Sequence, residues 1–203
     1  GAGRATAANG ATAIGYNANA AAGAVAFGAS TNAAVADSIA IGRGASVSQS
    51  GSGNGVTVGV AIGAGSVAWD DGVAIGVGTV SDPTGNVAGS GGTVIGYKAS
   101  TGFNTGNHQT VIGGLAEGLN TDVTVIGYKA SATGLQSVAI GANAKSLDKN
   151  ATAIGFTATA TGADSVAIGT NAAAKYANSV AIGSGSSTAT AASTAKGFIT
   201  NSA

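Results

Sequence analysis

A four-residue pattern recurs twelve times along this 203-residue chain: a β-branched residue, an Ala or Val, an apolar residue, then Gly. The tetrads end at Gly15, Gly28, Gly42, Gly63, Gly76, Gly96, Gly113, Gly127, Gly141, Gly155, Gly169 and Gly183, and from Gly113 onward the step between them is constant. One strand signature per short, fixed period predicts a solenoid of stacked coils. Positions within a repeat are counted from the apolar residue before the Gly, taken as position 0. That position is Ile in every repeat but one, where it is Phe27. Position −2 is Thr, Val or Ile throughout, and position −1 is Ala except at Val94, Val111 and Val125. β-Branched side chains fit a pleated surface better than a helix, so the tetrad reads as a short strand.

Side chains alternate along a strand, so positions −2 and 0 share one face and −1 takes the other. Both faces are apolar, which predicts a strand covered on both sides. The second half of each repeat differs. Position +4 is always small, as in Ala18, Ala130 and Ser186, and +6 nearly so, while +3 and +5 are mostly polar or Gly, as in Lys129 and Ser131. This predicts a second strand with one dry face and one wet face. On this reading the bulky −2 and 0 side chains fill a thin lumen, which the small residues of the second strand close. The −1 column, from Ala13 to Ala181, then points outward as a stripe too long and apolar to stand bare. A second copy of the chain brought close along that column is the expected cover, making the rod an obligate homo-oligomer.

Two strands and two turns in so short a repeat make a flattened coil, and stacking pairs each strand with its equivalents in parallel. The chain is thus expected to be all-β, a parallel β-roll with about 14 residues per coil. Repeats span residues 1–183, with Gly1, Ala5 and Ala7 fitting positions +1, +5 and +7 of a leading coil. Residues 184–203 read as a degenerate last coil or a transition to another module, because Lys196 falls at position 0. Insertions within 43–110 break the period: the intervals from Gly42 to Gly63, from Gly76 to Gly96 and from Gly96 to Gly113 all exceed the regular step. In solenoids such segments loop out from one face, as binding loops or as tolerated insertions.

Charge and composition narrow the function. Charged residues make up only 8% of the chain and the formal net charge is zero, which gives no purchase on nucleic acid or an anionic membrane. Lacking Cys, the chain has no disulfide framework and no thiolate metal site. It also lacks Met, as expected of a processed chain or a fragment. No stretch approaches the roughly 20 apolar residues of a membrane helix, and no signal segment opens the chain, so any anchor is expected outside it.

Candidate chemistry is sparse. His108 is the sole histidine, with no Cys nearby and no carboxylate at ligand spacing, and reads as a surface residue. Asp70 and Asp71 follow Trp69 in an expected exposed turn, where they are solvated or hold a cation. Trp69 itself is either a stacking residue for a ligand or a cap over the lumen. Tyr16, Tyr97 and Tyr128 share position +2, which reads as packing at the turn. Trp69, Asp70, Asp71, Phe103 and His108 are the ligand-contact candidates. No catalytic set, metal site or cofactor site is expected.

The segments Asp164–Gly169 and Asn178–Gly183 match the (N/D)-S-V-A-I-G repeat and resemble YadA-like head domains of trimeric autotransporter adhesins; Gln136–Gly141 and Asp37–Gly42 come close. The resemblance extends over essentially the whole chain, departing between Gly42 and Gly113. It implies a left-handed parallel β-roll, homotrimeric, displayed outside the bacterial cell and held to the outer membrane by a segment beyond this one. It further implies non-enzymatic attachment to host extracellular matrix, cells or other surfaces, with no membrane contact by the head. The alternative is an ice-binding or other structural β-solenoid. Flat Thr ladders would favour that, but Thr occupies position −2 in only five of the twelve repeats, on a face read as buried. A parallel β-helix enzyme is a remote third, since no carboxylate cluster is present.

Overall fold

The computed structural model describes residues 3–48, 58–69, 71–81, 91–101 and 108–189. Its strands alternate between two parallel sheets of twelve strands each. The first sheet holds the tetrad strands, from Thr12–Ile14 to Val180–Ile182, and the second holds the strands that follow them, from Thr6–Ala7 to Ala173–Ala174. Register is kept from end to end: Ile140 pairs with Ile154, Ile154 with Ile168, and Ile168 with Ile182. The chain is therefore an all-β parallel solenoid of ~14 residues per turn, with no helix among the described residues. Eleven steps at the ~4.8 Å strand spacing give a rod about 50 Å long. At its start Ala7 pairs with Ala20, so it stands at position +6 and not at the expected +7.

The first strand faces the opposite way from that expected. Position −1 fills the lumen: Ala139, Ala153 and Ala167 are each 0% exposed, as are Val94, Val111 and Val125. Positions −3, +4 and +6 join it there, as Ser137, Ala144 and Ala160 do. Positions −2 and 0 point out of the coil and remain half-exposed along most of the rod. The reason is steric. The sheets of a flattened coil lie so close that only one layer of small side chains fits between them, and two facing Ile columns would overpack it. Ranking residues by hydrophobicity puts the largest ones inside. Available volume puts them outside.

Polar groups within the lumen bond to their own coil. The −3 hydroxyls donate three residues back, Ser38 to the Val35 carbonyl at 2.6 Å and Ser137 to that of Gly134 at 2.7 Å. Thr31 and Thr79, at +4, do the same to Gly28 at 2.8 Å and Gly76 at 3.0 Å. Such satisfaction lets Ser and Thr stand in for Ala without a desolvation penalty. Where the lumen holds its largest residues, its wall recedes. A Cβ on Gly118 would lie 2.7 Å from Val111 Cγ2 and 2.9 Å from Val123 Cγ2. The glycine after each tetrad has a different cause. At Gly141, φ is +125° and a Cβ would lie 2.5 Å from the carbonyl oxygen of Gly155 on the next coil, so backbone-to-backbone approach forbids any side chain. At position −4, Asp122, Asn150, Asp164 and Asn178 adopt φ between 54° and 57°, the left-handed conformation that Asn and Asp tolerate best, which accounts for the N/D of the motif.

The insertions do not interrupt the first sheet. Ile41 pairs directly with Ile62, Ile75 with Ile95, and Ile95 with Ile112. All three lie between a second-sheet strand and the next first-sheet strand, so they leave the rod along one edge.

The inverted facing is testable with two substitutions. Ala153→Glu buries a carboxylate in the lumen and should abolish the cooperative β-sheet melting transition, while Ile168→Thr, which places on the outward face a residue the adjoining −2 column already carries, should keep the β-sheet circular dichroism. Ala167→Leu overpacks the lumen and should cost about 1–3 kcal/mol in denaturant unfolding.

Candidate functional site

The largest chemical feature of the surface is the outward face of the first sheet. Its −2 and 0 columns are Val, Ile and Thr, apart from Phe27, in register over all twelve strands. Phe27 is 52% exposed and Ile182 is 61% exposed, in a chain whose lumen is lined mainly by Ala. Isolated exposed apolar residues are ordinary, but two continuous columns of them mark an interaction face. The stripe of Ala expected to play that part is inside the coil.

One edge of this face carries aromatics. Tyr16, Tyr97, Tyr128 and Phe156 all stand at position +2 and each is more than half exposed, so they do not simply pack into their own turns as expected. Lys98 Nζ lies 5.4 Å from the centre of the Tyr97 ring, and Lys129 Nζ 5.3 Å from that of Tyr128. Each pair is a cation–π contact at an exposed site, worth about 0.5–1 kcal/mol. Between Tyr16 and Tyr97 the same edge carries no aromatic, and a shallow, open groove of about 450 Å³ runs over Ala29, Arg43, Ala64 and Val77. It is a furrow between turns and encloses nothing.

The outer face of the second sheet is polar. Asn19 donates from Nδ2 to Asn32 Oδ1 at 2.9 Å, linking equivalent +5 positions of adjacent coils. Ser46, Ser100, Ser131 and Thr159 continue that column. Similar rungs form at the turns, where Asn150 donates to Asp164 at 2.7 Å and Thr157 to Asn171.

Of the residues singled out from sequence, Asp70 and Phe103 lie outside the described residues. Trp69 ends the strand Val67–Trp69, half-buried and paired with Ser48 of the preceding coil. Ala68 is the residue that enters the lumen there. The Trp69 Nε1 is buried and has no hydrogen-bond partner among the described residues. Asp71 accepts a hydrogen bond from the Val58 backbone N–H at 3.1 Å. His108 is exposed, as expected, but the next coil places Asp122 beneath it, with Nδ1 and Oδ1 3.3 Å apart. The stacking, not the sequence order, makes that carboxylate a neighbour. Trp69, Asp71 and His108 all occupy the edge from which the insertions leave. No group of three or more His, Cys, Asp or Glu that could hold a metal is present among the described residues.

The YadA head domain repeat family matches residues 21–45, 124–144 and 149–172. These segments include the tetrads of six of the coils just described, and the match supports a YadA-like head domain. That family is a structural adhesin domain of the β-roll type and is not an enzyme family. No curated protein matches the chain.

An exposed ion pair contributes little to stability. His108→Ala should therefore shift unfolding by no more than about 0.5 kcal/mol at pH 5 or pH 8, as measured by urea titration.

Proposed function

We propose that the chain is the head of a non-enzymatic surface adhesin, assembled as a parallel homotrimer through the outward −2 and 0 columns. The observation that supports this most is the placement of the bulk. A lumen of Ala contributes about 0.8 kcal/mol per methyl-sized group, whereas a Val, Ile or Phe taken fully out of water contributes about 1.5–3 kcal/mol. Most of the hydrophobic free energy encoded in the repeat is thus realised only when another surface covers the first sheet. A second copy presents the same flat, apolar, evenly spaced face. Folding and assembly are then coupled.

Attachment is left to the polar second sheet and the insertion edge. Small side chains on a flat surface give each contact little energy, so useful affinity comes from many contacts repeated over three chains. Trp69, Asp71 and His108, with Asp70 and Phe103 from the same segments, are the anchors we assign to that edge. Host matrix, cells or other surfaces are the partners, and the bacterial cell exterior is the location. The ice-binding alternative gains one point. Thr12, Thr93, Thr110, Thr124 and Thr152 face outward, not into the lumen. The Ile column beside them favours a protein partner all the same.

Two measurements test the proposal. In sedimentation, the wild type should run as a trimer, and Ile154→Asp with Ile168→Asp should abolish the trimer and its cooperative unfolding together. A folded wild-type monomer at micromolar concentration would refute the assembly. Trimming the three insertions back to the regular period should reduce attachment to immobilised matrix proteins at least tenfold. Equal attachment by folded, trimmed assemblies would move the contact to the second sheet alone.

A further inference from the structure

The outward face has a difficulty that its own regularity creates. Two copies packed through uniform Val and Ile columns can slide by one coil and lose the contacts of only one coil in twelve. A face of that kind specifies partner and orientation but leaves axial register weakly determined. The −2 column is not uniform, however. From the first coil to the last it reads Thr12, Val25, Ile39, Val60, Val73, Thr93, Thr110, Thr124, Val138, Thr152, Val166, Val180. Thr93, Thr110 and Thr124 are consecutive, aligned residue on residue in the sheet.

One observation separates the outward threonines from the inward ones, and a second separates these three from Thr12 and Thr152. Inward Thr31 and Thr79 donate to their own coil's carbonyls, whereas the outward hydroxyls of Thr93, Thr110 and Thr124 have no hydrogen bond within the chain among the described residues. The same three coils also carry Val at −1 in place of Ala. Their lumen has gained a methyl pair while their outer face has exchanged a methyl for a hydroxyl, so lack of apolar character in these coils is not the reason for Thr.

We infer that Thr93, Thr110 and Thr124 set the axial register of the assembled copies, a reading that rests on the parallel assembly proposed above. In a parallel symmetric assembly, equivalent residues sit at one level, so each threonine meets its counterparts and the hydroxyls can bond to one another. A one-coil slip sets Thr93 against Val73 of the neighbour and Thr124 of the neighbour against Val138. Those hydroxyls are then buried against methyl groups with no partner, the costly half of the hydrogen-bond asymmetry. A polar residue at one core position of a coiled coil fixes register by the same physics.

The test moves the threonine block without changing its size. Val73→Thr with Thr124→Val shifts the block one coil toward the N-terminus, preserving composition and the number of apolar groups. Tagged shifted chains and wild-type chains are unfolded together, refolded and weighed by native mass spectrometry. Threonine matching predicts that shifted and wild-type chains mix only with a one-coil offset, read by cross-linking between cysteines placed at one level of each chain, and equal-level cross-links in the mixed oligomers overturn the inference. A Thr93→Val, Thr110→Val, Thr124→Val chain, whose mismatch no offset relieves and which serves if the shifted chain does not fold, should form mixed oligomers with wild type severalfold below the statistical proportion. Statistical mixing of that folded variant overturns the inference while leaving the oligomer intact. A wild type that is monomeric under these conditions overturns the assembly itself, and this inference with it.

Discussion

The lumen of this solenoid is one small side chain deep, and most of what the molecule does follows from that. Backbones of successive coils touch at the glycine after each tetrad, where a single Cβ on Gly141 would sit 2.5 Å from the next coil's carbonyl oxygen. The sheets close in until Ala, Ser and Thr fill the space between them. Where Val111 and Val123 enlarge the contents, Gly118 makes room. Apart from Gln109, nothing larger than Val is buried within the coil among the described residues. The Ile of the tetrad is consequently expelled.

Expulsion changes what holds the protein together. Ordering the backbone costs roughly 1–2 kcal/mol per residue, and a core of Ala offsets this poorly. Ladder hydrogen bonds and satisfied Ser and Thr hydroxyls keep the coils in register, but they exchange water partners for protein ones at small net gain. The missing stabilisation is displayed on the first sheet as columns of Ile and Val. In the assembly we propose, that face becomes the true hydrophobic core, shared between chains, and the lumen serves as a spacer. The regularity that builds the rod also makes its register ambiguous, and interruptions of that regularity are where specificity can reside.

The remaining surface divides by edge. The turn after each glycine carries Tyr97 and Tyr128 with their lysines, next to the apolar face. The opposite edge releases all three insertions and carries Trp69, Asp71 and His108. An insertion there leaves the first-sheet ladder intact, since Ile41 still pairs with Ile62 across the longest of the repeats. Loop length at that edge is therefore free to vary at little cost to the scaffold, which is where a recognition surface can change without disturbing the rod.

The repeat period, the two strands per coil and the parallel stacking were all legible in the sequence, because each depends on backbone repetition and β-branched content. The motif's Asn and Asp, its Ser and its Gly were visible too, though their causes, a left-handed turn, a hydroxyl bonded three residues back and a coil-to-coil contact, appear only in three dimensions. The sequence did not reveal which face of the first strand is inside. Alternation separates the faces without naming them, and both were apolar. Only the distance between the sheets decides that question, by admitting Ala153 and refusing Ile154. The same distance turned a predicted core into an exposed face, and stacking brought His108 to Asp122 from the next coil. Sequence determined the repeat; the tertiary structure, through the volume left between two close sheets, determined which side of it meets the world.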